Sequence, residues 1–226
     1  MGNAGTFDSF VKDVSDARVS LFDDLKVVSI GLVFEQQARD QGFRFIAGID
    51  EVGRGCLAGP VVAGACILDP NKPLPKDLND SKKLTANARD EIAAQLKLDC
   101  IAYAVGQVEA DEIDHINILE ATKKAMLAAI ALLNPQADFL LIDALQLKQS
   151  TLPQKAIIKG DSISASIAAA SILANTYRDD LMTAYDTEYP QYGFAGHKGY
   201  GAASHFAAIR EHGACPLHRK TFRGVV

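Results

Sequence analysis

The chain has 226 residues, 48% of them hydrophobic, which is enough for a folded domain with a buried core. No apolar run approaches the roughly 20 residues that span a bilayer, and the best candidate, residues 163–174, contains three serines. The acidic N-terminus lacks the basic flank and apolar stretch of a signal peptide. Four cysteines without a Cys-x-x-Cys pair indicate neither a zinc site nor a disulfide framework. We therefore expect a cytoplasmic protein that makes no membrane contact.

The net charge of −5 hides an uneven distribution. Residues 1–190 hold 18 Lys and Arg against 27 Asp and Glu, whereas residues 191–226 hold five against one, together with four of the five histidines. A basic segment is the electrostatic footprint of polyanion binding. A charged terminal segment is also simply solvated in many proteins, and the charge pattern leaves both interpretations open.

Short apolar segments bounded by Gly and Pro predict strands, and apolar residues at helical spacing predict helices. In chain order we expect a helix at residues 32–41, strands at 45–50 and 61–68, a helix at 85–97, a strand at 101–108, a helix at 117–133, strands at 139–143 and 155–159, and helices at 162–187 and 201–212. This order predicts an α/β architecture, a mixed central sheet flanked by helices. We expect one domain over residues 31–226, with a helical C-terminal segment, and a loosely attached extension at residues 1–30.

Four acidic residues lie where predicted strands or turns end. Asp50 and Glu51 close the apolar segment FIAGIDE, Asp143 closes FLLID, and Asp161 lies in KGDS before the long helix. If they converge, their mutual repulsion raises their pKa values unless cations neutralise them, and such hard oxygen ligands suit Mg²⁺ or Mn²⁺. Alternatively, Asp161 caps the helix and Asp143 forms a turn.

A Gly-Arg-Gly sequence, residues 53–55, follows the acidic pair directly. Glycine lets a backbone approach a ligand closely, and an arginine presents a fork of donors to a phosphate. A tight turn between two strands explains the glycines equally well.

Seven ordered blocks extend this pattern over residues 45–222, and they resemble the ribonuclease HII family, the type 2 ribonucleases H. They are GIDEVGRGCLAGPVVAGACIL, NDSKKLT, NILEATKKAM, LLID, IIKGDSISASIAAASILAN, HKGYG and GACPLHRKTF. The resemblance implies a ribonuclease H-like fold. It also implies an endonuclease that cuts 5′ of ribonucleotides embedded in duplex DNA and degrades the RNA strand of RNA–DNA hybrids, with two Mg²⁺ or Mn²⁺ ions.

The resemblance also assigns roles to individual residues. It places catalysis and metal binding on Asp50, Glu51, Asp143 and Asp161. It implies substrate binding by Gly53, Arg54, Gly55, Ser81, Lys82, Lys83 and Tyr200. In that family the Gly-Arg-Gly loop reads the 2′-OH at the RNA–DNA junction, and the tyrosine packs on the neighbouring deoxyribose. Residues 81–83 would lie near the substrate backbone, although a solvated lysine pair is an equally good interpretation.

The chain departs from the family pattern at four positions. Val52 and Cys56 stand where alanine and proline are usual, and both are small enough to keep the loop plausible. Ala202 stands where threonine is frequent and Asn175 where lysine is common, which would weaken a backbone contact. None of the four is an acidic site residue.

Two other functions compete with this interpretation: a nucleic-acid-binding protein of the same fold that has lost catalysis, and a different nuclease of the ribonuclease H fold. Retention of all four acidic positions favours an active enzyme, and the Gly-Arg-Gly, KGDS and GYG motifs together favour ribonuclease HII. The related type 3 enzymes carry an additional N-terminal domain, for which the 44 residues before residue 45 are too few. We expect a monomer that acts on RNA–DNA hybrids and on ribonucleotide-containing DNA duplexes.

Overall fold

The computed structural model describes residues 30–79, 81 and 84–226. Residues 1–29, nearly all of the expected extension, lie outside this part, as do Lys82 and Lys83. The strands of the central sheet are β1 (Ile46–Val52), β2 (Val61–Ile67), β3 (Ala102–Val108), β4 (Phe139–Asp143) and β5 (Gln154–Ile157). They lie in the order β3-β2-β1-β4-β5. Strands β1, β2 and β3 pair antiparallel, whereas β1, β4 and β5 pair parallel, which confirms the predicted mixed sheet.

The helices of the described residues are α1 (Val33–Asp40), α2 (Ala86–Asp99), α3 (Ala110–Ile116), α4 (Ile118–Ala131), α5 (Ala165–Glu188), α6 (Phe194–His197) and α7 (Ala203–His212). The sequence does not predict α3 or α6, which span only seven and four residues. Asn117 ends α3 with φ at 70°, and its side chain accepts hydrogen bonds from the first amides of α4. None of the described helices is long and apolar enough to cross a membrane.

Helix α4 covers one face of the sheet. Its buried residues Ala125, Met126 and Ala129 pack with Ala47 and Ile49 of β1 in the largest hydrophobic cluster. Because the side chains of a strand alternate between the two faces, the neighbouring positions of β1 point to the opposite layer.

Helix α5 lies on that opposite face and approaches the sheet backbone closely. A Cβ atom at Gly48 of β1 would overlap the Ser166 backbone, and one at Gly64 of β2 would overlap the Ala170 carbonyl. The helix side of this contact is rich in alanine and serine, which are small enough to permit it. Glycines on the sheet and small residues on the helix therefore fix the position of α5 over β1 and β2.

A buried carboxylate fixes the start of α5. Glu35 of α1 is 1% exposed, and its Oε1 accepts from the Ser164 hydroxyl at 2.7 Å and from the Ser166 amide at 2.8 Å. A negative charge at a helix N-terminus is favourable because the first amide groups there have no partner within the helix. This contact joins α1 to α5.

We expect Gly48→Ala to lower the free energy of unfolding by about 3 kcal/mol or more, because the added methyl group forces α5 away from the sheet. Gly31→Ala is the matched control, since a Cβ atom at Gly31 meets nothing within 4 Å, and it should change stability by less than about 1 kcal/mol. Urea unfolding of both variants provides the measurement. Equal stability of the two variants would contradict the close contact.

Candidate functional site

The carboxyl ends of two parallel strands bring acidic residues to one edge of the sheet. Asp50 and Glu51 lie at the end of β1. Ile49 pairs with Ile142 in the parallel register of β1 and β4, so Asp143, the next residue of β4, lies beside Asp50. The edge beyond the carboxyl ends of parallel strands is where open α/β sheets bind ligands.

Asp161 lies in the short 3₁₀ turn Gly160–Ser162. The Gly160 amide donates to Asp143 Oδ1 at 2.7 Å, which ties this turn to the end of β4. The Asp161 side chain is buried, with 6% of its surface exposed. Ser164 caps α5, because its hydroxyl accepts from the Ile167 amide, and the capping alternative for Asp161 is therefore wrong.

Burial and neighbouring charges make Asp50 and Glu51 hard to ionise. Burial, and then the neighbouring charges of Glu51 and Asp143, raise the pKa of Asp50 to about 8. Burial also raises the pKa of Glu51. The Arg54 guanidinium, 3.1 Å from the Glu51 carboxylate, opposes this rise. Acidic groups are thus crowded at this edge, with Arg54 in contact with Glu51.

The donor set fits a divalent cation. Carboxylate oxygens are the hard ligands that Mg²⁺ and Mn²⁺ prefer, and the buried Glu51 Oε2 has no hydrogen-bond partner. A buried polar atom without a partner is costly, and a bound cation would satisfy it. Among the described residues, no group of three or more His, Cys, Asp or Glu side chains is gathered closely enough to enclose an ion. An ion would therefore draw the carboxylates together.

A buried arginine supports the connection between β1 and β2, residues 53–60. Arg178 of α5 is fully buried and donates to the carbonyl oxygens of Pro60 and Ala58, each at 3.0 Å. A third bond, of 2.8 Å, reaches the Lys198 carbonyl. One guanidinium therefore joins this connection to the segment that contains Tyr200.

Arg219, from the C-terminal segment, supports the same connection from another direction. It is also fully buried, and it donates to the Gly59 carbonyl at 2.9 and 3.0 Å and to the Arg54 carbonyl at 3.0 Å. Burial lowers its pKa to about 10. The backbone carbonyls compensate part of the cost of burying this cation.

The two glycines beside Arg54 differ in what they require. Gly53 has a φ of +87°, and a Cβ atom there would overlap the Arg178 side chain. Gly55 faces open space, with nothing within 4 Å of an added Cβ. The first glycine is therefore needed for packing and backbone conformation, whereas the second leaves its backbone accessible.

Tyr200 stands at the surface beside this connection. Its side chain is 47% exposed, so the alternative of a core tyrosine is wrong. The Arg178 Cζ atom lies 5.9 Å from the ring centroid. Partial burial, followed by the nearby Cys56 thiol, raises the pKa of Tyr200.

A network of neutral histidines holds the segment that follows Tyr200. His218 Nδ1 accepts from the Cys215 amide at 3.0 Å, so the His218 proton lies on Nε2 and is donated to His205 Nε2 at 3.1 Å. His205 Nδ1 in turn donates to the Tyr200 carbonyl at 2.8 Å. Burial lowers the pKa of both histidines, that of His218 to about 4. The network requires both rings to be neutral.

Ser81 lies inside the protein and not at the surface. Its side chain is fully buried, and its hydroxyl lies 3.0 Å from the Ser171 hydroxyl of α5. The predicted neighbours Lys82 and Lys83 lie outside the described residues.

Comparison with known proteins identifies the family. The family model described as ribonuclease HII matches residues 47–225. The chain belongs to the ribonuclease HII family. Ribonuclease HII of Syntrophotalea carbinolica is 54% identical over 194 residues, which cover 86% of this chain and 92% of that protein. The chain is accordingly an enzyme, a ribonuclease H that acts as an endonuclease on the RNA of RNA–DNA hybrids.

Solved structures share the fold. Ribonuclease H2 from Pyrococcus horikoshii OT3 matches with a TM-score of 0.67 at 24% identity, over 80% of this chain and 95% of that one. Bst-RNase HIII, solved in complex with Mn²⁺, matches with a TM-score of 0.62 at 20% identity, over 83% of this chain and 70% of that one. These likenesses confirm the predicted ribonuclease H-like fold of this ribonuclease HII.

The sequence did not predict that polar residues of the basic C-terminal segment are buried. We weighed solvation against phosphate binding there, yet His205, His218 and Arg219 are buried. It also missed Arg178, because one arginine in a long helix carries no sequence signal of burial. The block GACPLHRKTF contained two of these residues, but it did not indicate what they contact.

We expect Gly53→Ala to destabilise this ribonuclease HII by about 1–3 kcal/mol, because the methyl group meets both an unfavourable φ and the Arg178 side chain. Gly55→Ala should change stability by less than about 1 kcal/mol and weaken binding of an RNA–DNA hybrid. Thermal unfolding and fluorescence anisotropy with a labelled hybrid measure the two effects. A stable Gly53→Ala variant would contradict the packing role of Gly53.

The His218 network predicts a pH dependence of stability. Because folding lowers the pKa of His218 from about 6.5 to about 4, the unfolded state takes up the proton first as the pH falls. The stability that His218 contributes is fully present above pH 6.5 and is lost towards pH 4. The free energy of unfolding of the wild type and of His218→Gln can be measured in denaturant at several pH values. The difference between the two should shrink as the pH falls from 6.5 towards 4. A difference independent of pH would contradict the neutral network.

Proposed function

We propose that Asp50, Glu51, Asp143 and Asp161 hold divalent ions and form the catalytic centre of this ribonuclease HII. Enzymes of the family need a divalent metal. The observation that carries the proposal is the parallel pairing of β1 and β4, which places Asp143 beside Asp50 and Glu51. Burial, and then the charge of Glu51, raise the pKa of Asp50 to about 8 there. Buried carboxylates close to one another are stabilised by a cation between them.

The chain's own residues divide the work of the reaction. Two Mg²⁺ or Mn²⁺ ions held by these four residues would supply the activation of a water molecule and the stabilisation of the leaving oxygen. Asp50 and Asp143 would present oxygen ligands from the ends of two paired strands, a rigid support for positioning. Glu51 and Asp161 would complete the ligand set. Water then attacks the phosphate 5′ of a ribonucleotide, and the products carry 3′-hydroxyl and 5′-phosphate ends.

Selection of the ribonucleotide is proposed to rest on residues 53–55 and on Tyr200. The 2′-OH is what distinguishes RNA from DNA at a single nucleotide, and the exposed backbone at Gly55 offers groups that can bind it. The half-exposed Tyr200 ring offers a flat apolar surface to the neighbouring deoxyribose. Arg178 joins both elements, since it binds carbonyls on either side, so their spacing is fixed before a substrate arrives.

The substrates proposed are RNA–DNA hybrids and DNA duplexes that contain ribonucleotides, bound by a monomer in the cytoplasm. Ser81, Lys82 and Lys83 are proposed to support binding of the substrate backbone, with the buried Ser81 acting through the position of its segment. Phosphate contacts with basic residues would supply much of the affinity, which should therefore fall with salt. The four cysteines are free, as suits a reducing compartment.

A labelled duplex with one internal ribonucleotide tests the function. In Mg²⁺ or Mn²⁺ the protein should nick it 5′ of the ribonucleotide and leave the all-DNA duplex of the same sequence intact. Asp50→Asn should abolish nicking, because the amide keeps the shape but loses the charge that binds metal. It should also unfold at or above the wild-type temperature in EDTA, since it removes a buried group whose ionisation is unfavourable. Nicking by Asp50→Asn at the wild-type rate would contradict the metal-site assignment.

Tyr200 should act through its ring. We expect Tyr200→Phe to keep much of the nicking activity and Tyr200→Ala to lose most of it, with the melting temperature nearly unchanged in both. A buried tyrosine would instead cost roughly 3–5 kcal/mol on truncation. Melting and nicking rate measured together decide the matter: full activity of Tyr200→Ala, or a large fall in its melting temperature, would rule out the stacking role.

A further inference from the structure

A chain of buried polar side chains leads away from Asp50. Ser171 and Asn175 lie one turn apart on α5, and both face Ser81. Asn175 Nδ2 lies 3.1 Å from Ser81 Oγ, which lies 3.0 Å from Ser171 Oγ. Ser171 lies beside Asp50. Asp50 pairs with Gly64 in the sheet, and a Cβ atom at Gly64 would meet Ala170, the residue before Ser171. The Ser171 hydroxyl opposes the rise in the pKa of Asp50. Ser81 and Ser171 are buried, so these hydroxyls depend on each other and not on solvent.

The orientation of the Asn175 amide in this chain is determined. The Asn175 amide nitrogen also donates to the Ser171 carbonyl at 2.9 Å, and because a carbonyl only accepts, this contact fixes which end of the amide faces Ser81. Ser81 therefore accepts from Asn175. The Ser81 and Ser171 hydroxyls lie 3.0 Å apart and share a hydrogen bond. The three side chains thus form one connected group beside Asp50.

Ser81 is also held from its backbone side. Arg89 of α2 donates to the Ser81 carbonyl at 3.5 Å and forms an ion pair of 2.6 Å with Asp179, one turn beyond Asn175 on α5. The Ser81 hydroxyl is thus kept over the same face of α5 that carries Ser171 and Asn175. Because Ser81 is held from its backbone as well as through its hydroxyl, the chain can restrict the orientation of the group beside it.

We propose that Asn175, Ser81 and Ser171 are positioning residues that orient the Asp50 carboxylate for divalent-metal binding. The inference rests on the proposed function, which makes Asp50 a metal ligand. Groups that hydrogen-bond to a ligand commonly orient it and tune its affinity for the ion. The three residues act through Asp50 and do not contact the metal or the substrate.

The neighbouring Thr176 supplies a matched control. Its hydroxyl is buried on the same helix, but it has no hydrogen-bond partner. Thr176→Val removes a buried hydroxyl of α5 with little change of shape and leaves the chain to Asp50 intact. Ser171→Ala breaks the chain beside Asp50, and Asn175→Leu removes its first donor without adding a charge.

Binding of Mn²⁺, measured by titration calorimetry on the whole protein without nucleic acid, tests the inference. Ser171→Ala and Asn175→Leu should each weaken Mn²⁺ binding by about tenfold or more, while Thr176→Val binds as the wild type does. The double variant should bind no more weakly than Ser171→Ala alone, because Asn175 acts only through Ser171. Melting curves identify any variant that does not fold, and the half-buried Asn175 keeps the test available if Ser171→Ala fails to fold.

The outcomes separate this inference from the proposed function. If the wild type binds Mn²⁺ and Asp50→Asn does not, the metal-site assignment stands. Wild-type Mn²⁺ affinity in both Ser171→Ala and Asn175→Leu would then overturn the positioning role alone, as would fully additive losses in the double variant. If Asp50→Asn binds Mn²⁺ as tightly as the wild type, the metal-site assignment fails and the positioning role fails with it.

Discussion

The direct contact between helix α5 and strands β1 and β2 is the constraint on which the rest of the molecule depends. Gly48 and Gly64 place no side chain between the sheet and α5, and α5 faces them with its own backbone. The residues of α5 at this contact are alanines and serines, which are small. The contact is so close that it fixes the helix both along its axis and about it. The contact of α5 with β1 and β2 therefore determines where each α5 side chain of the site lies.

Three consequences follow along the length of α5. Near its start, Glu35 binds the first turn, just after the turn that contains Asp161. In its second turn, Ser171 lies beside Asp50 and acts on the pKa of that carboxyl group. Further on, Arg178 holds the connection between β1 and β2. One helix therefore places the acidic edge and the proposed ribose-reading elements relative to each other, as a nuclease that selects RNA requires.

The site contains charged or ionisable groups, and burying each of them alone would cost free energy. Asp50 and Glu51 are buried carboxylates with raised pKa values, and Arg178 and Arg219 are cations buried against backbone carbonyls. Such arrangements persist where function requires them and where the surrounding packing stabilises them. Here the two arginines fix a connection that contains glycines, and the carboxylates are the groups proposed to bind a cation.

The sequence by itself determined the strands, the long helices, the mixed α/β class and the family, because apolar periodicity and ordered motifs are local properties of the chain. It also named the four acidic residues, but it could not show that Asp50 and Asp143 are neighbours, since only the parallel pairing of β1 with β4 decides that. Helix α3 was too short to predict. The roles of Arg178, Ser171 and the neutral His218 were decided by tertiary structure alone, because burial and hydrogen-bond direction depend on residues far away in the chain.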